Sequence, residues 1–289
     1  MKNVIKLGFA VLLTLNVATA KAQNKNTENS TLWEVSGNGL SKPSYLAGTF
    51  HIMCSQDFEI KPKVMKALEK SDHFVMEINY TDPAEMAAMQ KMYQADQKIS
   101  DQLSPEDAKE LDKVLADYGT DLKKMDHSSS QALYALISTK AIPCPPTEIK
   151  LYEIELLQNA LKNKKKVSGL EKVQEQLTSI NAAYDLKAVI GQLKMGKEYE
   201  ILLKKMITAF KKEDLQSVYT LFKDDKIMNA RQEKAMLTDR NKNWIEKMPD
   251  MMKKESSFFA VGGAHLMGEN GVIQLLRSKG YTVKPISSL

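Results

Sequence analysis

Residues 257–265 read Ser-Phe-Phe-Ala-Val-Gly-Gly-Ala-His. An apolar run over 257–261 is stopped by Gly262-Gly263, and a histidine follows at once. That is a strand ending in a turn which delivers His265 to the strand's edge. Far upstream the chain does the same: a short strand over 44–47 runs into Gly48-Thr49-Phe50-His51. In α/β sheets ligands bind at the carboxyl ends of strands. The chain has four histidines, and two of them fall at equivalent points of two strand-turn units. This pairing makes His51 and His265 candidates for ligand or acid/base roles. His73 and His127 lack the context and read as structural.

The stretches between alternate in the same way. Residues 32–35 suit a first strand, with Gly37, Gly39 and Pro43 marking a turn. Pro62 sits in the first turn of a helix whose Val64 and Leu68 share a face with Ile60. Residues 73–79 form a strand with Phe74, Met76 and Ile78 on one face and Glu77 on the other. Ser104-Pro105-Glu106-Asp107 starts a helix that Gly119 stops. Pro143, Pro145 and Pro146 around Cys144 require a non-helical loop. A helix over 152–163 leads to a strand over 166–170 that turns at Glu171, and helical patterns fill most of 173–247. The chain ends with a helix over 271–278 and a strand over 281–286. Short strands separated by helices predict an α/β sheet carrying a large helical insertion.

The amino terminus reads as a targeting segment. Lys2 and Lys6 precede an apolar run over 7–17, and Ala18-Thr19-Ala20 and Ala20-Lys21-Ala22 are overlapping cleavage frames. This is a signal peptide pattern, with cleavage expected after Ala22 and too few apolar residues to span a membrane. Its removal loses three lysines and no acid, taking the net charge from +5 to +2. The remaining domain, residues 23–289, is expected outside the cytoplasm, periplasmic or extracellular, as one large domain or two intimate halves. It has no Arg-rich stripe or aromatic-basic interleaving, so nucleic acid is not an expected partner. Cys54 and Cys144, the only cysteines, suit either a disulfide or two buried thiols.

Other residues can join the histidines. Glu77 lies between apolar neighbours in a strand, where a carboxylate is costly unless paired or metal-bound. Glu171, at another strand end, suits a ligand, a general base or an orienting group. Arg240-Asn241 could clamp an oxyanion, or Arg240 could be a surface cation stacked on Trp244. Met86, Met89 and Met92 recur at helical spacing, as core or as the adaptable wall of a substrate groove.

Several of these motifs, in order, resemble the TraB/GumN family: Tyr45 to His51, Met76-Glu77, Gly169-Leu170-Glu171 with Glu175-Gln176, Asp239-Arg240-Asn241, and Val261 to Leu266 with Gly280-Tyr281. The resemblance covers nearly all of residues 23–289 and implies an EreA/ChaN-like α/β fold. The family includes the Tiki proteases, which clip the amino-terminal part of Wnt proteins. It implies a divalent-metal-dependent hydrolase, with Mn or Co, acting on a peptide or protein. His51, Glu77 and His265 would then hold the metal, Glu171 would be a general base or orienter, and Arg240 with Asn241 would stabilise an oxyanion. Two histidines and a carboxylate suit Mn, Fe, Co or Zn. Asp239 stands where the family pattern leads one to expect Glu, and the cysteine pair is a further departure. A non-catalytic haem- or iron-binding envelope protein of the same fold is the alternative.

Overall fold

The computed structural model describes residues 29–287; the expected signal peptide lies outside them. Eight strands follow in chain order: β1 (Leu32–Ser36), β2 (Ser44–Thr49), β3 (Ile52–Cys54), β4 (His73–Ile78), β5 (Ile149–Leu151), β6 (Lys166–Glu171), β7 (Ser257–Gly262) and β8 (Thr282–Pro285). Six of them form one sheet in the order β6-β4-β7-β2-β1-β8. β6, β4, β7 and β2 run parallel, while β1 pairs antiparallel with both β2 and β8. The chain skips a place between β2 and β4, and β7 returns from the helical insertion to fill it. The protein is therefore mixed α/β, as the alternation of strand and helix patterns implied.

β2, β4 and β7 are buried along their whole length. Parallel strands are covered on both faces, so Glu77 is enclosed like its apolar neighbours, not set on a solvent face. Fully buried Trp33, Phe74, Phe258, Phe259 and Trp244 anchor the main core. A second core forms among the helices of the insertion, and Leu203 packs against both.

The glycine of the first turn does different work from that expected. β2 does not stop at Ala47: Gly48 pairs with Val261 and Thr49 with Gly262, and neither Gly48 nor the Gly262-Gly263 pair has a positive φ. A Cβ on Gly48 would come within 2.6 Å of Leu215 Cδ1 and 3.1 Å of the Gly263 Cα. Glycine is needed there for close packing, not for a turn. Glu171 likewise ends β6 inside the ladder, paired with Ile78. The methionine stripe is not core: the helix Pro83–Lys91 has no buried residue, and Met86 is 38% exposed.

Cys54 and Cys144 form a disulfide with a Cα–Cα distance of 5.9 Å. It ties the end of β3 to the Pro-rich loop just ahead of β5, and β3 and β5 pair as a separate antiparallel ribbon. A disulfide fits an oxidising compartment. Among the described residues no helix is long and apolar enough to cross a membrane. The bridge closes a loop across a separation of 90 residues. Replacing both cysteines by serine is expected to lower stability by about 2–4 kcal/mol. Urea unfolding of oxidised and double-serine proteins measures it, and equal midpoints would show that the loop is held without the bridge.

Candidate active site

The parallel strands bring their carboxyl ends to one edge of the sheet. There β2 supplies Thr49 and leads into His51, β4 supplies Glu77, β6 supplies Glu171, and β7 leads through Gly262 to His265. The helix Asp239–Lys254 lies against this edge with Arg240, Asn241 and Trp244 on its buried face. A π-helical segment, Lys234–Thr238, precedes it; such segments cluster at functional sites.

Arg240 is the hub. Its Nε donates to both Glu171 oxygens (3.1 and 3.2 Å), and Nη2 donates to Glu171 Oε1 (2.5 Å) and Glu77 Oε2 (2.6 Å). Nη1 donates to the Met236 carbonyl and to His265 Nε2, each at 3.1 Å. All five N–H groups of the guanidinium are thus engaged. Burial, the largest single influence, would raise the Glu77 pKa, but the Arg240 charge together with His265, His51 and the Gly262 N–H outweighs it and holds the carboxyl well below the usual range. Glu77 Oε1 also accepts the Gly262 N–H at 2.8 Å. Trp244 Nε1 donates to Glu171 Oε2 at 3.1 Å, and Gln176 Nε2 donates to Glu171 Oε1 at 3.0 Å.

His265 is buried and held at both nitrogens. Nδ1 lies 2.7 Å from Asn241 Oδ1, a pure acceptor, so Nδ1 carries the proton and Nε2 accepts from Arg240. The Asn241 amide donates to the backbone carbonyls of His265 and Asn270. Trp244 packs on the imidazole, ring centroids 4.4 Å apart. Burial first, and the Arg240 charge second, push the His265 pKa down to about 3. It is a neutral, fixed ring.

His51 is the exposed member, with 57% of its side-chain surface accessible. Its Nδ1 lies 2.7 Å from Oε1 of Glu153, the second residue of the helix Tyr152–Lys162. Thr49 Oγ1 donates to the same carboxylate oxygen. The Glu153 charge is the largest cause of a His51 pKa raised to about 9. His51 Nε2 faces Glu77 Oε1 at 4.0 Å. Gly262 makes this approach possible, because a Cβ there would come within 3.0 Å of His51 Nε2 and 3.4 Å of Glu77 Oε1. A cavity of about 300 Å³ opens over His51, Arg240 and His265.

A sequence profile of the TraB/PrgY/gumN family matches residues 31–285. The chain belongs to that family. It is also similar to "Metalloprotease TIKI1" of Danio rerio, 22% identical over an alignment that takes in 89% of this chain and 63% of the relative. The chain thus spans less than two thirds of that relative's length. No solved structure matches.

In this TraB/PrgY/gumN protein all six residues singled out from the sequence come together at the sheet edge. Their partners redistribute the roles. Arg240 is no surface cation: it is 5% exposed while its guanidinium lies 5.0 Å from the Trp244 ring. With its N–H groups engaged and the Asn241 amide spent on carbonyls, neither offers an oxyanion a free donor as arranged. Among the described residues no group of three or more His, Cys, Asp and Glu is placed to hold a metal ion. His265 turns its nitrogens to Arg240 and Asn241, which leaves His51 Nε2 and Glu77 Oε1 as the facing pair. Glu153 is the residue that sequence reading missed. An acid in the first turn of a helix is ordinary dipole complementation, so its pattern carried no sign that a histidine ring from the turn after β2 would meet it.

The two histidines give opposite pH slopes of stability. His265, down to about 3 in the fold and near the ordinary histidine value of 6.5 when unfolded, binds its proton more readily in the unfolded chain. Stability therefore falls as pH drops below about 6.5. His51, raised to about 9, contributes fully below 6.5, and that contribution is lost as pH rises toward 9. Its exposed ring is screened by solvent, so the alkaline limb is the shallower. Denaturation from pH 4 to 10 with chelator present is expected to peak near neutrality, and His51→Gln to flatten the alkaline limb alone. An unchanged alkaline limb would contradict the Glu153 assignment.

Proposed function

We propose that this family member is an exported hydrolase that cleaves peptide bonds, with His51 as the side chain that meets the substrate. The observation that carries the reading is the contrast between the two histidines. His265 is neutral and fully engaged, whereas Glu153 and Thr49 orient His51 so that its Nε2 faces Glu77 and the cavity. A water held between His51 Nε2 and Glu77 Oε1 would find in the ionised carboxylate an acceptor for its proton and in the cationic imidazole a donor to the leaving amine. Arg240 fixes Glu77 and Glu171 and helps to keep Glu77 ionised, Gln176 and Trp244 brace Glu171, and Asn241 sets the His265 tautomer.

Metal dependence belongs to this reading through the family and the relative named as a metalloprotease. His51 Nε2 and Glu77 Oε1 are donors of suitable type, 4.0 Å apart, close to what two ligands of one ion require. They are the residues that would hold it, with His265 the third member expected from the sequence. When bound, a divalent ion lowers the pKa of its water and polarises a carbonyl; Mn or Co is the identity that the resemblance implies.

The experiment is a cleavage screen of a diverse peptide mixture by mass spectrometry, using protein purified from the exported fraction. It is run with chelator, with Mn(II) and with Co(II), and metal content is measured in parallel. Cleavage by the wild type, stimulation by one of the ions and loss in His51→Ala are expected. No cleavage under any of the three conditions would defeat the proposal.

A further inference from the structure

The helical insertion does more than cover the sheet. Its helices Ser130–Ala141, Gly196–Lys211 and Leu215–Phe222, together with the π-helical segment, wall the cavity of about 300 Å³ whose floor is His51, Arg240 and His265. Leu203, Met206, Phe222 and Leu237 make the walls apolar. Tyr134 and Tyr199 also face it, but their hydroxyls lie 3.2 Å apart and satisfy each other. We infer that this cavity is the subsite for one large, uncharged apolar side chain of the substrate, next to the bond that is cut. The inference rests on the hydrolase reading above.

Size, charge and position each narrow the occupant. A volume of about 300 Å³ is at the lower end of the range for small-ligand sites, roughly 300–1,000 Å³. It suits one side chain and is too small for an extended segment. Charge is excluded from both directions. The lining contains no carboxylate, and its three basic side chains are already engaged, Arg240 with Glu77 and Glu171, His51 with Glu153, and His265 with Arg240 and Asn241. A charged side chain would enter without a partner, which burial penalises heavily. The flexible thioether of Met206 allows both branched and aromatic occupants. Continuity with His51 places the occupant beside the reacting bond.

Two readouts test this, one of which needs no catalysis. In the cleavage screen, cut sites are expected to concentrate beside Leu, Met, Phe or Trp. Exchanging that residue for Ala is expected to lower kcat/KM by at least about tenfold, the usual discrimination of an apolar pocket. Ser138→Phe, which fills the cavity from a lining position outside the reactive groups, is expected to remove that preference while cleavage beside Ala persists. Leu203→Ala, which enlarges it, should shift preference toward Trp. Separately, N-acetyl-phenylalaninamide is titrated into protein with methyl-labelled methionine, followed by NMR. The Met206 and Met236 signals are expected to move, with N-acetyl-alaninamide at least tenfold weaker and Ser138→Phe abolishing the response. Cleavage without side-chain preference and with unmoved Met206 and Met236 signals would overturn the subsite and leave the hydrolase standing. Binding at those methyls without any cleavage would overturn the hydrolase and leave an apolar pocket standing. Neither cleavage nor binding would end both.

Discussion

Arg240→Ala is expected to lower the unfolding free energy by about 3–5 kcal/mol, the cost of removing one partner from a buried ion pair. The side chains of Arg240, Glu77 and Glu171 are 6%, 10% and 4% exposed, so two carboxylates would be left in a low-dielectric site with few remaining donors. Glu77 would keep the Gly262 N–H, and Glu171 would keep Trp244 and Gln176. His265 Nε2 would lose its donor as well. The loss should be largest at neutral pH and shrink in acid, where Glu77, no longer held ionised by Arg240, can be neutralised by protonation. Arg240→Met combined with Glu77→Gln and Glu171→Gln, which removes the charges together, is expected to recover most of the stability. Urea denaturation of wild type, single and triple variants measures all of this. A loss below about 1 kcal/mol would show that the carboxylates find another cation, a result that would itself point to a bound metal.

His51→Ala is expected to act chiefly on activity, with a stability cost confined to pH values below about 9, where its ring is charged beside Glu153. If His51 gives its proton to the leaving amine or helps to hold a metal, its removal should cost roughly 10²- to 10⁴-fold in kcat/KM. Above about pH 9, where the ring no longer contributes through its charge, its exposed side chain should leave the unfolding free energy within about 0.5 kcal/mol of wild type, where surface substitutions usually fall. Glu153→Gln keeps the shape of its partner and removes the charge. It is expected to lower activity by about 10–100-fold, the range for a group that orients a reactive histidine. Activity of His51→Ala within twofold of wild type would remove this histidine from the chemistry and reduce the Gly-x-x-His turn to scaffold.

The same contrast shows what local pattern can and cannot convey. Helix boundaries followed from residues that act on their own backbone. Pro62 opens the helix Pro62–Lys70, and the Ser104 side chain accepts the Asp107 N–H at the start of the helix Pro105–Asp117. Apolar runs bounded by glycine marked the strands that end at the site, so its location at the strands' carboxyl ends was legible. The strands β3 and β5 were not: each has three residues, and their pairing depends on a contact between distant segments.

Sequence alone therefore determined the α/β class, the helical insertion, the pairing of His51 with His265 as strand-end residues, and the grouping of Glu77, Glu171, Arg240 and Asn241 with them. These are matters of residue type and local spacing. Tertiary structure decided the rest: that Gly48 serves close packing, that Cys54 meets Cys144, that Arg240 sits between two carboxylates and His265, and that Glu153 holds His51. Those outcomes depend on which side chains meet across elements distant in the chain. A guanidinium shows five donors in the sequence, but only the fold determines which acceptors engage them.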